Sequence, residues 1–188
     1  VLLLSWAMML SHTPVFEKDR TNTYDTAQMI SDPAQPWAIF GEIDRLHELD
    51  HYTFIAKDDI ELRVQLLVPK KKGLENFKPS LVLIGPGFSG ESTIIGELPP
   101  VSGAIDLIPD DDDYKTLMTD KFTFTKYWKG PTDTIGISEE GRYYIVVIPN
   151  EDEMGDYVLR IGEKEDIAYS KVFGAFFSWF RIQWMYWS

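Results

Sequence analysis

The chain contains no cysteine, which removes disulfides, thiolate metal sites and cysteine nucleophiles together. Histidine is nearly as scarce. His12, His47 and His51 are the whole supply, so imidazole bases and imidazole metal ligands are confined to three early positions. Positive charge is also short: 18 Lys and Arg face 30 Asp and Glu, a formal net charge of -12. A surface of that sign repels phosphate backbones, so nucleic acid is not an expected partner. No apolar run reaches the roughly 20 residues of a spanning helix.

What is present favours one domain of short strands. The 188 residues are 44% hydrophobic, enough for a core that needs no covalent staple. Eleven prolines and 13 glycines interrupt the chain too often for long helices.

The two ends differ from the rest. Val1 to Leu10 is apolar and is followed by Ser11-His12-Thr13-Pro14. Residues 1–12 therefore read as a remnant of a signal peptide or anchor, which places the chain outside the cytoplasm: secreted, periplasmic or at the cell surface. Residues 13–36, polar and broken by Asp32-Pro33 and Gln35-Pro36, read as a linker. Residues 166–188 hold the aromatic stretch Val172 to Trp187. That stretch is either an interfacial, membrane-proximal segment or an amphipathic helix packed on the domain. Membrane association through the termini follows from the first of these alternatives.

Residues 37–165 carry the strand signals. Trp37 to Ile43 and Leu49 to Ala56 are the first two strands, with Tyr52 and Phe54 on one face. Ile60-Glu61-Leu62-Arg63-Val64-Gln65-Leu66 alternates most cleanly, its apolar members facing inward. Ser80 to Ile84 is a short apolar strand, and residues 85–120 form an irregular insertion. Lys121 to Trp128 and Asp133 to Ile137 are two further strands. Gly141 to Ile148 and Asp156 to Gly162 flank an acidic loop and read as a long-looped hairpin. About eight strands at turn-bounded spacing predict an all-β fold, an antiparallel sandwich of jelly-roll type.

The order of residues has a family likeness. Gly41, Asp50-His51-Tyr52-Thr53-Phe54, Leu62-Val64-Leu66, Leu81-Val82-Leu83, Gly141-Arg142-Tyr143-Tyr144-Ile145-Val146-Val147 and Gly155-Asp156-Tyr157-Val158-Leu159 together resemble the bacterial pre-peptidase C-terminal domains. The resemblance covers residues 37 to 162. It implies a jelly-roll-like sandwich in a secreted or surface protein, an accessory module without catalysis, whose relatives in some cases bind calcium or an extracellular polymer. The insertion at 85–120 departs from the family pattern. Read physically, Tyr52 and Phe54, and likewise Tyr144 and Val146, are expected to pack between the sheets. Gly141 and Gly155 are expected at turns that need positive φ.

Four motifs bear on chemistry. Gly85-Pro86-Gly87-Phe88-Ser89-Gly90 has the spacing of a dinucleotide loop, but the long helix that would hold a pyrophosphate has no room before Pro99-Pro100. Gly87-Phe88-Ser89-Gly90-Glu91 approximates a nucleophile elbow, with Glu91 where the last Gly belongs and every His upstream. His47 and His51 have the i, i+4 spacing of a zinc helix in a segment that reads as turn and strand. Hard oxygen donors cluster at Asp110, Asp111, Asp112 and Asp113 and at Asn150 and Asp152, so calcium is the cofactor these loops would suit, although neither has the EF-hand pattern. Tyr127 and Trp128 are candidate contacts for a sugar or peptide.

The functional expectation is a non-catalytic extracytoplasmic binding module, with a protein or cell-surface polymer as partner. The alternative is a hydrolase built on Ser89 or on clustered carboxylates.

Overall fold

The computed structural model describes residues 13–18, 21–57, 59–100, 102–120, 124–150 and 153–162. The signal or anchor reading at 1–12 and the aromatic segment at 166–188 lie outside these residues.

Two-residue alternation puts one set of side chains between two sheets and the other set outside. The strands are β1 (Thr13–Phe16), β2 (Gln28–Met29), β3 (Trp37–Ile43), β4 (Asp50–Ala56), β5 (Ile60–Pro69), β6 (Ser80–Gly85), β7 (Gly103–Leu107), β8 (Leu117–Thr119), β9 (Lys126–Ile137), β10 (Gly141–Ile148) and β11 (Gly155–Ile161). Sheet A runs β1-β3-β11-β5-β9-β8 and sheet B runs β2-β4-β10-β6-β7. From β3 to β6 the chain changes sheet at every connection, and it does so again from β9 to β11. This is an all-β sandwich, as the alternation predicts.

The core between the sheets draws Leu62, Val64, Leu66 and Val68 from β5, Tyr52 and Phe54 from β4, and Tyr157, Leu159 and Ile161 from β11. From β10 it takes Tyr143, Ile145 and Val147. That is the opposite face to the one expected: Val146 and Tyr144 belong to a separate cluster on the outer side of sheet B. Tyr143 stacks on Phe54 with ring centroids 5.4 Å apart. The run Tyr143 to Val147 is apolar on both faces, so alternation alone could not choose between them.

Other boundaries also shift. Residues 13–36 are not a free linker: β1 pairs in parallel with β3 and β2 in parallel with β4, so the sheets are mixed at these edges. The stretch 85–120 carries β7 and β8. The two strands expected at 121–128 and 133–137 are one strand, β9, whose register against β5 slips between Gln65 and Leu67. Two residues of β9, Gly130 and Pro131, oppose one of β5, Leu66, a bulge that absorbs what reads as a break. The ring of Tyr114 lies where a Cβ on Gly130 would sit.

Gly141 to Ile148 and Gly155 to Ile161 are not a hairpin. β10 lies in sheet B and β11 in sheet A, so the acidic loop is an arch between layers. Gly141 has the expected positive φ, +153°. Gly155 does not need one; a Cβ there would come within 2.6 Å of Leu74 and 2.9 Å of Phe77.

Candidate functional site

Inside the sandwich the described residues place one polar cluster, and the strand starts build it. Asp50 opens β4 and Tyr52 follows two residues later on the same inward face. Tyr157 reaches them from β11 because Gly41, its register partner on β3, has no side chain. A Cβ on Gly41 would fall 2.4 Å from the Tyr157 ring. The Tyr157 hydroxyl donates to Asp50 Oδ2 at 2.6 Å and lies 2.6 Å from the Tyr52 hydroxyl. Since Tyr157 has one proton to give, Tyr52 is the donor between the two phenols.

The other Asp50 oxygen, Oδ1, is buried and takes no hydrogen bond from a fixed donor among the described residues. Its neighbour is Glu17, just past β1. Glu17 accepts from Thr21 Oγ1 at 2.8 Å and from the Glu42 amide at 3.2 Å. Burial, with the negative charge of Glu17 adding to it, raises the Asp50 carboxyl to about 8. Burial raises Glu17 as well, and it pushes both phenols well above the usual tyrosine range. Two acids this close share a proton rather than ionise together. Tyr52 and Tyr157 are fully buried and Asp50 is 1% exposed. The cluster therefore ties β4 of one sheet to β11 and the β1 end of the other.

The residues expected at the surface fall elsewhere. Asp110 and Asp113 are occupied in holding a turn: Asp110 Oδ1 accepts from the amides of Asp112 at 2.7 Å and Asp113 at 3.0 Å, and Asp113 Oδ2 from the Asp110 amide at 3.1 Å. Asp111 and Asp112 are exposed. Asn150 accepts from the Lys78 amide at 2.7 Å and donates to the Asn76 carbonyl at 3.1 Å, tying the arch to the loop before β6. Asp152 lies outside the described residues. Among the described residues, no three or more His, Asp and Glu converge as metal ligands do.

Tyr127 is 3% exposed and packs on the outer side of sheet A, so it is not a surface contact. Trp128 is half-buried, with the Lys70 ammonium 5.2 Å from its ring centroid.

Among the described residues, Ser89 does not meet His47 or His51; His12 lies outside them. Gly90, beside Ser89, accepts a hydrogen bond from the amide of Ala104 on β7, and β7 is three strands from β4. At one strand spacing each, that separation is about 14 Å. His51 is on β4, its ring edge-on to Tyr24 at 4.9 Å with Nδ1 3.1 Å from the Leu49 carbonyl. Burial lowers its affinity for a proton. His47 sits in the turn before β4 with φ 63°, so the i, i+4 zinc geometry does not form.

The insertion at 85–120 is built as a cover. Ser92 Oγ, the Thr93 amide and Thr93 Oγ1 donate to Asp106 on β7 at 2.7, 2.7 and 2.8 Å. Ile95 and Leu98 pack on the outer face of sheet B.

Gly41, Asp50, Tyr52 and Tyr157 stood out in the sequence as a pattern of fold residues, and the fold brings them together. Glu17 was missed. Its signal, a lone carboxylate after a four-residue strand, does not distinguish it from solvated acids nearby.

No family model matches the chain, and no curated protein matches it in sequence. Among solved structures it is similar to the pre-peptidase C-terminal domain of collagenase from Bacillus anthracis, with 14% identity over 77% of this chain and 99% of that one, at a TM-score of 0.41.

Proposed function

We propose that this chain is a non-catalytic accessory module that works outside the cytoplasm by presenting its surface to a protein or cell-surface polymer. The observation that carries this reading is the Asp50–Tyr157–Tyr52 cluster. The most strongly perturbed acid and the two phenols bonded to it are turned on one another across the sheets. Perturbed groups of this kind mark active sites when they line a cleft; here they serve as a lock between layers. The acidic turns are likewise occupied with backbone amides, and the loop at 91–98 is pinned down over sheet B. The surface that remains is acidic overall, which suits partners with cationic groups and makes association salt-dependent.

Two assays of the purified chain test this. Co-sedimentation with insoluble cell-wall polymer should retain the protein at low salt and release it as salt rises. A panel of chromogenic ester, peptide and glycoside substrates should show no turnover above the buffer rate. Hydrolysis that disappears in the Ser89→Ala protein would overturn the reading.

A further inference from the structure

β9 outruns its neighbour. β8 pairs with it only from Lys126 to Trp128, and further bonds on that side join Lys129 to Thr116 and Tyr114. Beyond the bulge β9 continues to Ile137, and among the described residues no strand pairs along the far side of this part. Thr132, Asp133, Thr134 and Gly136 are exposed, and a Cβ added to Gly136 would meet nothing within 4 Å.

The ladder fixes which backbone groups face this margin. Arg63 of β5 turns toward β11, because its carbonyl accepts the Gly162 amide. Antiparallel pairing alternates in direction, so Leu62 and Val64 bond their β9 partners, Ile135 and Asp133. Thr132, Thr134 and Gly136 therefore turn their N–H and C=O groups outward, over about 13 Å of edge. The Thr134 amide agrees with that direction: it donates to its neighbour's side chain, Asp133 Oδ1, at 2.7 Å.

Other margins are guarded in ways this one is not. β1 contains Pro14, β2 is two residues long, and the Ala104 amide of β7 is taken by the Gly90 carbonyl. What guards this half of β9 is charge. Glu61, Asp133, Glu139 and Glu140 are exposed about it, with Arg63 among them. A second copy paired edge to edge would set these acids against themselves, whereas a basic strand would neutralise them.

We propose that this edge takes an extended, basic segment of a partner protein as an added strand of sheet A. The inference rests on the reading of the chain as a module that acts through its surface, and it names the kind of partner. Main-chain bonds to Thr132, Thr134 and Gly136 hold the segment. Its carbonyl replaces Asp133 Oδ1 on the Thr134 amide, and the freed carboxylate pairs with a Lys or Arg of the segment. β9 lies opposite β6 and β7, and the half-buried Ile105 and Leu107 of β7 give alternate apolar residues of the segment a place to pack.

The test uses the full chain and a dye-labelled peptide of alternating Lys and Val, followed by fluorescence anisotropy. The expected result is saturable binding at least tenfold tighter than that of a Lys-Pro peptide of equal charge, which has no strand to offer. T134P removes an outward donor and should weaken the Lys-Val peptide at least tenfold, with the near-UV signal of the buried tyrosines unchanged. If T134P loses that signal, amide exchange of the unaltered chain is read instead. The peptide should then slow Thr132 and Gly136 severalfold, and not Leu117 or Thr119 on β8. Equal binding of the two peptides, no binding at millimolar peptide, or slowing at every edge alike overturns the proposal. So does protection of Thr132 and Gly136 that rises with protein concentration alone, which would assign the edge to a second copy. Retention on cell-wall polymer reads the accessory role separately and should be the same in T134P; its loss there would assign the edge to the polymer and overturn the proposal.

Discussion

The hydroxyls of Tyr52, on sheet B, and Tyr157, on sheet A, lie 2.6 Å apart in the fully buried interior. They join the two layers by a polar bond inside the apolar core. Tyr157 also donates to Asp50, so it holds two of the cluster's bonds and Tyr52 one. Tyr157→Phe should lower unfolding free energy by about 2–3 kcal/mol, because it leaves the Asp50 carboxyl without its donor. Tyr52→Phe should cost about 1 kcal/mol. Urea unfolding followed by far-UV dichroism measures both, and equal losses would mean that Asp50 does not depend on Tyr157.

The shared proton gives stability a pH dependence of unusual sign for an acid. Asp50 titrates near 8 in the fold and near 4 in the unfolded chain. Its contribution is therefore complete below the unfolded value and is lost as pH rises through the folded one. Unfolding free energy, and the Tm with it, should fall between about pH 4 and pH 8, with a limiting free-energy slope near 1.4 kcal/mol per pH unit for one proton. Asp50→Asn keeps the uncharged shape and should flatten that slope. A wild-type Tm that climbs from pH 5 to 8 refutes this account.

Gly41 is required by its neighbour's ring rather than by its backbone angle. Gly41→Ala puts a methyl 2.4 Å from the Tyr157 ring, and overpacking of that kind costs about 1–3 kcal/mol. The combined Gly41→Ala, Tyr157→Leu protein should lose less than the sum of the two changes. A double-mutant cycle in urea decides it; strict additivity would show that the two positions do not meet.

Asp106 anchors the cover on sheet B through three donors from Ser92 and Thr93. Burial raises its carboxyl and the three hydrogen bonds more than compensate, leaving it below the usual range. Asp106→Ala should open residues 91–98 to proteolysis while global stability changes by only about 1–2 kcal/mol. Limited digestion with a Glu-specific protease, aimed at Glu91 and Glu97, reads this directly. An unchanged cleavage pattern would detach Asp106 from the loop.

The parts of this architecture legible in the sequence were those where one face is apolar and the other polar. Ile60 to Leu66 is such a case, and its inward residues are as alternation requires. Where both faces are apolar, as in Tyr143 to Val147, the register needs the partner strands to settle it. Gly130-Pro131 reads as a break because a bulge and a turn use the same residues. The sheet assignment of β10 and β11 was hidden for a different reason: an arch between layers and a hairpin within one present the same strand-loop-strand pattern. In the cluster, Asp50, Tyr52 and Tyr157 were visible as a motif, but the contribution of Glu17 depends on β1 pairing with β3, a contact that no local pattern encodes.

The last two of the described strands lie at the centres of their sheets. β10 sits between β4 and β6, and β11 between β3 and β5. Sheet B cannot close until β10 ends at Ile148 and sheet A cannot close until β11 ends at Ile161, so a polypeptide that has emerged only as far as β9 holds both sheets without their middle strands. Ends that meet across more than a hundred residues, as β3 and β11 do, make for slow folding. For this molecule a stop codon anywhere before β11 removes the centre of a sheet rather than an appendage.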